Sequence, residues 1–462
     1  MTKERALRRG LAAGACALVV AALGGGAGGP AVARAASGPE RQVVAHRAGG
    51  RVVAASRLPT VRTTGIGHPA AEPTLGVAGN GDVFYAAATP GQLVSLSGID
   101  VLRSSDRGRS WDVASPRVAD QHNVHVSTGD PYVYVDRTKA GSRVFTVDLQ
   151  GYVCSLLSFS DDGGRSWTTN PLGCGRPVND HQTLFAGRPV EGTTVGYPKI
   201  VYYCYQDVAS STCSKSLDGG LTFVPAGEPS FSGFDEDGTF CGGLHGHGYA
   251  GPDGTVYIPK GHCGFPWLAI SKDEGATWTR VQVAELASAD HEASVAADRR
   301  GNVYYAYIGI DLLPYLVVSR DGGQTWGRPM MVGRPGVVEA SLPSIDVGRS
   351  GLVAVAYMGT KDRGGDDYTK VEWDGYVTAT RSALAGRPLF YSVSVNDPAD
   401  PLLRGRCPQT KCGPVYDFID VVVAPDDAVW GAFVDGCVAA CVDVGAPNDG
   451  NAGLASEIRV PR

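Results

Sequence analysis

Five octapeptides of one pattern, Ser-x-Asp-x-Gly-x-Ser/Thr-aromatic, recur along this chain. They begin at Ser104, Ser160, Ser216, Ser271 and Ser319 and end at Trp111, Trp167, Phe223, Trp278 and Trp326. The closing aromatics stand 56, 56, 55 and 48 residues apart. A repeat of that length marks one supersecondary unit stacked against its neighbours. The local chemistry is that of a tight hairpin: Asp accepts turn amides, Gly takes positive φ, and the aromatic anchors the next strand. Five copies of an acid are not needed by one active site, so these Asp residues read as turn builders.

The segments between the octapeptides agree. Each repeat opens with an apolar strand, a Gly- or Asp-containing turn and a second strand rich in β-branched and aromatic residues. Glu72–Ala78 followed by Asp82–Ala86, and Ala293–Ala297 followed by Asn302–Ala306, are examples. Further first strands are expected near Asp130, His181, His245, Glu339 and Asp417. The octapeptides resemble Asp boxes, the bacterial neuraminidase repeats of the sialidase superfamily. That resemblance implies an all-β β-propeller of four-stranded blades, with the box joining the third and fourth strands. Seven strand pairs predict seven blades, with six as the alternative. The sixth and seventh lack a box. A strand around Val52-Val53-Ala54-Ala55 is expected to complete the last blade and remove its free edge.

Residues 1–35 read as an export signal. Lys3, Arg5, Arg8 and Arg9 precede an apolar run from Leu11 to Leu23, and Ala33-Arg34-Ala35 has cleavage-site spacing. The expected organisation is a signal peptide over 1–35 and one propeller over 36–462. The formal charge is −6. Removing residues 1–35 takes away five basic residues and one acid, which leaves −10. That argues against a nucleic-acid partner or an anionic membrane surface. Extracellular carbohydrate is the expected partner of a secreted monomer. Of 11 cysteines, Cys16 lies in the leader. The rest invite local disulfides: Cys154/Cys174, Cys204/Cys213, Cys241/Cys263, Cys407/Cys412 and Cys437/Cys441.

In a four-stranded blade, the long connections and the starts of the innermost strands share one face. Those starts carry Glu72, Asp130, Asp180-His181, His245-Gly246-His247, Asp290-His291-Glu292, Glu339 and Asp417. Singly, each reads as a strand cap. Together they supply acid–base pairs or hold a structural cation; no other cofactor and no metal-ligand motif is expected. Tyr416, just before Asp417, resembles in placement the nucleophilic tyrosine of sialidases. The resemblance implies Glu339 or Glu72 as its base partner and Asp130 or Asp180 as acid. The family grips a substrate carboxylate with three arginines, the first in Arg-Ile-Pro. Here that station reads Glu72-Pro73, and Arg57-Leu58-Pro59 lies well before it. Arg176, Arg334 and Arg404, with His245, His247 and Asp417, are the candidate substrate contacts. The functional expectation is a secreted sialidase-like glycoside hydrolase. The alternatives are a non-catalytic binding propeller, or a polysaccharide lyase using His181 or His291 with Tyr416.

Overall fold

The computed structural model describes residues 42–462, except 89–98, 117–127, 140, 151–153, 173–178, 208–209, 235–237, 242, 290–291, 364–369 and 408–411. The leader, Cys174, Arg176, Asp290 and His291 therefore lie outside the described residues.

The chain forms six four-stranded antiparallel sheets and one of seven strands. In chain order, the sheets start with strands Ala71–Val77, Thr128–Arg137, Asp180–Gly187, Tyr249–Ala250, Ser294–Ala297, Glu339–Val347 and Asp420–Val423. Each starting strand packs on the next, and the last packs on the first, so the sheets close into a ring. The ring is a β-propeller of antiparallel blades. Its interior strands are buried on both faces, which is why they read as near-continuous runs of Val, Ala, Tyr and Leu rather than as alternating patterns.

The sheets are stitched near the axis by a recurring bond. Thr74 Oγ1 accepts Val133 N at 2.8 Å, Thr183 Oγ1 accepts Gly248 N at 3.0 Å, and Ser294 Oγ accepts Ile345 N at 3.1 Å. Asp420 Oδ2 closes the circuit by accepting Leu75 N at 2.8 Å. A polar side chain within the first four residues of an innermost strand thus satisfies an amide of the neighbouring sheet.

The octapeptide turns behave as their chemistry requires. Asp218 Oδ1 accepts the amides of Leu221 and Thr222 at 3.0 and 2.9 Å, and its Oδ2 accepts the Thr222 hydroxyl at 2.6 Å. Ser216 Oγ accepts Gly220 N at 2.7 Å. The other four turns repeat the carboxylate-to-hydroxyl bond at Asp106, Asp162, Asp273 and Asp321. The closing aromatic reaches back to the preceding sheet: Trp167 Nε1 donates to Ala114 O at 2.9 Å, and Trp278 Nε1 to Glu228 O at 3.0 Å.

Ring closure differs from the expectation. Residues 60–69, not 52–55, form the outer strand of the seventh sheet, pairing Thr60–Pro69 with Ala452–Arg459. The earlier segment serves the sixth sheet instead: Val43–Arg47 pairs with Phe390–Ser394, and Arg51–Val52 folds back on it. Val43 and Ala45 are buried there, and His46 bonds Ser392 Oγ at 2.7 Å. The short run Val52–Ala55 has only exposed or half-buried positions and no such core to fill.

Four disulfides join Cys204–Cys213, Cys241–Cys263, Cys407–Cys412 and Cys437–Cys441, as the spacing suggests. Cys154 is also disulfide-bonded. Among the described residues no helix is long and apolar enough to cross a membrane.

Candidate active site

Four of the innermost strands carry a bulge at or near their start. Glu72, Asp130, His181 and Leu342 hold φ of 51°, 50°, 50° and 57°, and the strand register slips at each of them. A non-glycine residue at positive φ is uncommon and needs support from its surroundings. The support is a chain of bonds running from sheet to sheet. Glu72 Oε2 accepts Asp130 N at 2.7 Å, and Asp130 Oδ2 accepts His181 N at 2.7 Å. Gln182 Nε2 donates to Asp130 O at 2.5 Å. In the fourth sheet the station is Gly246, because a Cβ there would lie 1.6 Å from Ala293 O.

Five side chains meet at this end of the axis. Carboxylate oxygens of Glu72, Asp130 and Asp417 lie within 4.8 Å of one another. His181 Nε2 is 3.1 Å from Glu292 Oε1, and its Nδ1 is 2.9 Å from His245 O. All five residues are 5% exposed or less. Burial, then the charges of Glu72 and Asp180, push the Asp130 pKa well above the ordinary carboxylate range. Burial opposes the charge on His181, but Glu292, Asp130 and Asp417 outweigh it and hold its pKa well above the usual value. A protonated imidazole among carboxylates, with a carboxyl that keeps its proton, is a set able to donate and accept protons.

The other expected residues take different places. Asp180 is half-buried and accepts His181 N at 3.1 Å through Oδ1. His245 and His247 are held neutral, their pKa values pulled down to about 3 chiefly by burial. The His247 ring packs edge-on against Tyr132 and Phe418 at 4.8 and 5.2 Å. Tyr416 is half-buried at φ 66°, ending the short 3-10 turn Gly413–Val415 beside the Cys407–Cys412 bridge. Its chain neighbour Asp417 belongs to the carboxylate cluster.

Glu339 stands outside that cluster. It lines a cleft of about 590 Å³ between the fifth and sixth sheets, with Asp311, Trp373, Arg363 and Arg406. Burial raises its pKa, and the two arginines pull the other way. Arg334 is buried and donates to Gln42 O and Ser392 O at 2.9 and 3.2 Å. Arg404 pairs with Glu372 at 2.6 Å and donates to Cys441 O at 3.0 Å. These two guanidinium groups brace the N-terminal strand and the last long loop.

Glu292 is the member that sequence reasoning left in the background. Its signal was present: Glu292-Ala293-Ser294 repeats the spacing of Glu72-Pro73-Thr74. Arg363 and Arg406 carried no comparable signal, because they follow no repeat station.

The sequence matches no protein-family model and no curated protein. Solved structures similar in fold include a protein of unknown function from Dyadobacter fermentans, at 15% identity and TM-score 0.45, covering 87% of this chain and 99% of that one. The NanB sialidase of Streptococcus pneumoniae aligns at 13% identity and TM-score 0.42, over 84% of this chain and 68% of that one. The intramolecular trans-sialidase of Ruminococcus gnavus aligns at 14% identity and TM-score 0.41, over 84% and 93%. Other similar structures carry the names of glycoside hydrolases and, at 12% identity and TM-score 0.41, of a lectin from Aleuria aurantia. What defines this chain as a propeller is its own closed ring of sheets.

Proposed function

We propose that this chain is an exported glycan-acting propeller, a glycoside hydrolase of sialidase type that carries its chemistry at the strand-start end of the axis. The observation that carries the reading is the convergence of Glu72, Asp130 and Asp417 on one point, Asp417 being the chain neighbour of Tyr416. In this reading Tyr416 Oη attacks the anomeric carbon and loses its proton to Glu72. The bond to the leaving group breaks as its oxygen takes the proton of Asp130. Water then attacks the glycosyl–tyrosine and gives its proton to Asp130, while the bond to Tyr416 Oη breaks and that oxygen takes its proton back from Glu72, freeing the sugar. A carboxyl whose pKa is raised by burial and by neighbouring acids suits the donor role. A phenol suits the nucleophile role only beside a base, since its ordinary pKa is ~10. Glu72 replaces Glu339 as the preferred base because it shares the cluster with Asp417, whereas Glu339 sits in the cleft with Arg363 and Arg406.

One observation favours a second reading. The cluster residues are at most 5% exposed, and Glu72 and Asp130 spend an oxygen each on a neighbouring strand amide. That is what strand caps do, and it suits a non-catalytic propeller that binds glycan through the cleft beside Glu339. A panel of sialosides, uronides and neutral glycosides separates the two. Release of reducing ends by the wild type, lost by at least about a thousandfold in Tyr416→Phe with substrate binding retained, supports the hydrolase. Binding without turnover across the panel supports the second reading. A product absorbing in the near ultraviolet would identify a lyase and overturn both.

A further inference from the structure

The axial channel has an opposite end, where the innermost strands finish. A depression of about 280 Å³ opens there. Arg137, Arg188, Lys199, Arg299 and Arg349 line it, and Asp298 is the single acidic side chain among its described lining residues. This is a strong local excess of cations on a chain whose formal charge is −6.

Most local anions are already engaged. Asp298 accepts the amides of Arg300 and Asn302 at 2.8 and 3.0 Å, the Asn302 side chain at 2.7 Å and the Tyr304 hydroxyl at 3.0 Å. Lys199 pairs with Asp136 behind the rim, and Asp136 also takes the Tyr197 hydroxyl. Arg188 Nε donates to Asp253 O at 3.0 Å. Arg137, Arg299 and Arg349 make no ion pair with a described residue. Nη1 of Arg137 is buried with no hydrogen-bond partner among the described residues. Its guanidinium lies within electrostatic reach of Asp346 and Tyr249 inside the channel, without a bond to either.

The placement follows from the repeat. Arg299 and Arg349 occupy the same position in the first turns of the fifth and sixth sheets, one residue after the amide that closes each turn. Those closing bonds are Asp298 N to Asn302 O at 2.9 Å and Gly348 N to Leu352 O at 2.8 Å. Ring geometry then aims neighbouring turns at one axis, so like charges converge. Guanidinium groups arriving from several sides with no ion pair to a described residue, one with a desolvated N–H, are matched to a tetrahedral oxyanion that offers several acceptor oxygens.

We infer that this mouth is a binding site for a tetrahedral oxyanion, a sulfate or phosphate group, either free or carried on a sugar. It lies at the other end of the channel from the carboxylate cluster and does not depend on the proposed hydrolysis. The test is isothermal titration of the full chain with sodium sulfate, sodium phosphate and a 6-O-sulfated disaccharide, each against sodium chloride of equal ionic strength. Saturable one-to-one binding is expected, weakened about tenfold or more in the double variant Arg299→Gln/Arg349→Gln. Both side chains are exposed, so the variant's melting temperature in chloride should match the wild type. Tighter binding of the free anions identifies a small-ion site; tighter binding of the disaccharide identifies a glycan substituent. No saturable binding of any of the three, or an affinity unchanged in the variant, overturns the inference.

Discussion

Lys260 is fully buried, and its ammonium nitrogen has no hydrogen-bond partner among the described residues. It lies 5.7 Å from the centre of the Phe231 ring. Burial pulls its pKa down to about 8, against the opposing attraction of Asp207. Between about pH 8 and the unfolded value of 10.5 the unfolded chain therefore binds more protons than the folded one. Stability contributed by this residue rises with pH across that window. Below it both states are protonated and the whole penalty remains. Lys260→Met should raise the melting temperature at pH 7 and flatten its rise between pH 8 and 10.5, as read by thermal denaturation over a pH series. A melting temperature that falls at pH 7, with the slope intact, would show that Lys260 has a partner. Nothing in the repeat pattern marks this lysine, because its burial comes from the neighbouring blade elements and not from its own strand.

At the scale of the element, the octapeptide hairpins were legible because their bonds are local. Ser216, Asp218, Gly220 and Thr222 meet within one turn, so spacing and chemistry specify the outcome without help from the rest of the chain. Ser216 is fully buried, and its hydroxyl is the acceptor for Gly220 N. Ser216→Ala leaves that amide unsatisfied and should cost about 1–3 kcal/mol in chemical denaturation. Any loss of glycan binding or turnover per folded molecule should be small; a folded variant of full stability but no activity would give the turn a role in the site. The bulged strand starts were only half legible. Acid or imidazole residues at those stations were visible, but their membership of the cluster depends on where the register slips. Glu339 lies three residues before the bulge at Leu342, which directs it to the cleft and not to the axis.

At the scale of the whole molecule, stability rests on closing the ring. The seventh sheet takes its last strand from the beginning of the chain, pairing Thr60–Pro69 with Ala452–Arg459. Ile66 and Ala70 are buried in the junction. Deleting the chain up to residue 70 exposes the edge of Ala452–Arg459 and opens the ring. The product should aggregate or lose its cooperative transition, as read by size exclusion and calorimetry. Deletion up to residue 54 removes only the added strands of the sixth sheet, Val43–Arg47 and Arg51–Val52. It should leave a folded monomer of lower melting temperature. The reverse order of severity would mean that the sixth-sheet strands, and not Thr60–Pro69, close the molecule.

The amino-acid sequence by itself determined the repeat, the hairpin chemistry, the all-β class and the short disulfide loops, since each is decided by residues a few positions apart. Tertiary structure decided which N-terminal segment closes the ring, because two candidate strands compete and only core packing and register choose between them. It decided that Glu292 joins Glu72, Asp130, His181 and Asp417 while Glu339 does not, because these residues stand near the strand starts of separate blades, with bulges at Glu72, Asp130 and His181, whereas Glu339 lies before the bulge of its own strand. It also gathered Arg137, Arg299 and Arg349 at one mouth, residues far apart in the chain that only a closed ring brings to a common axis.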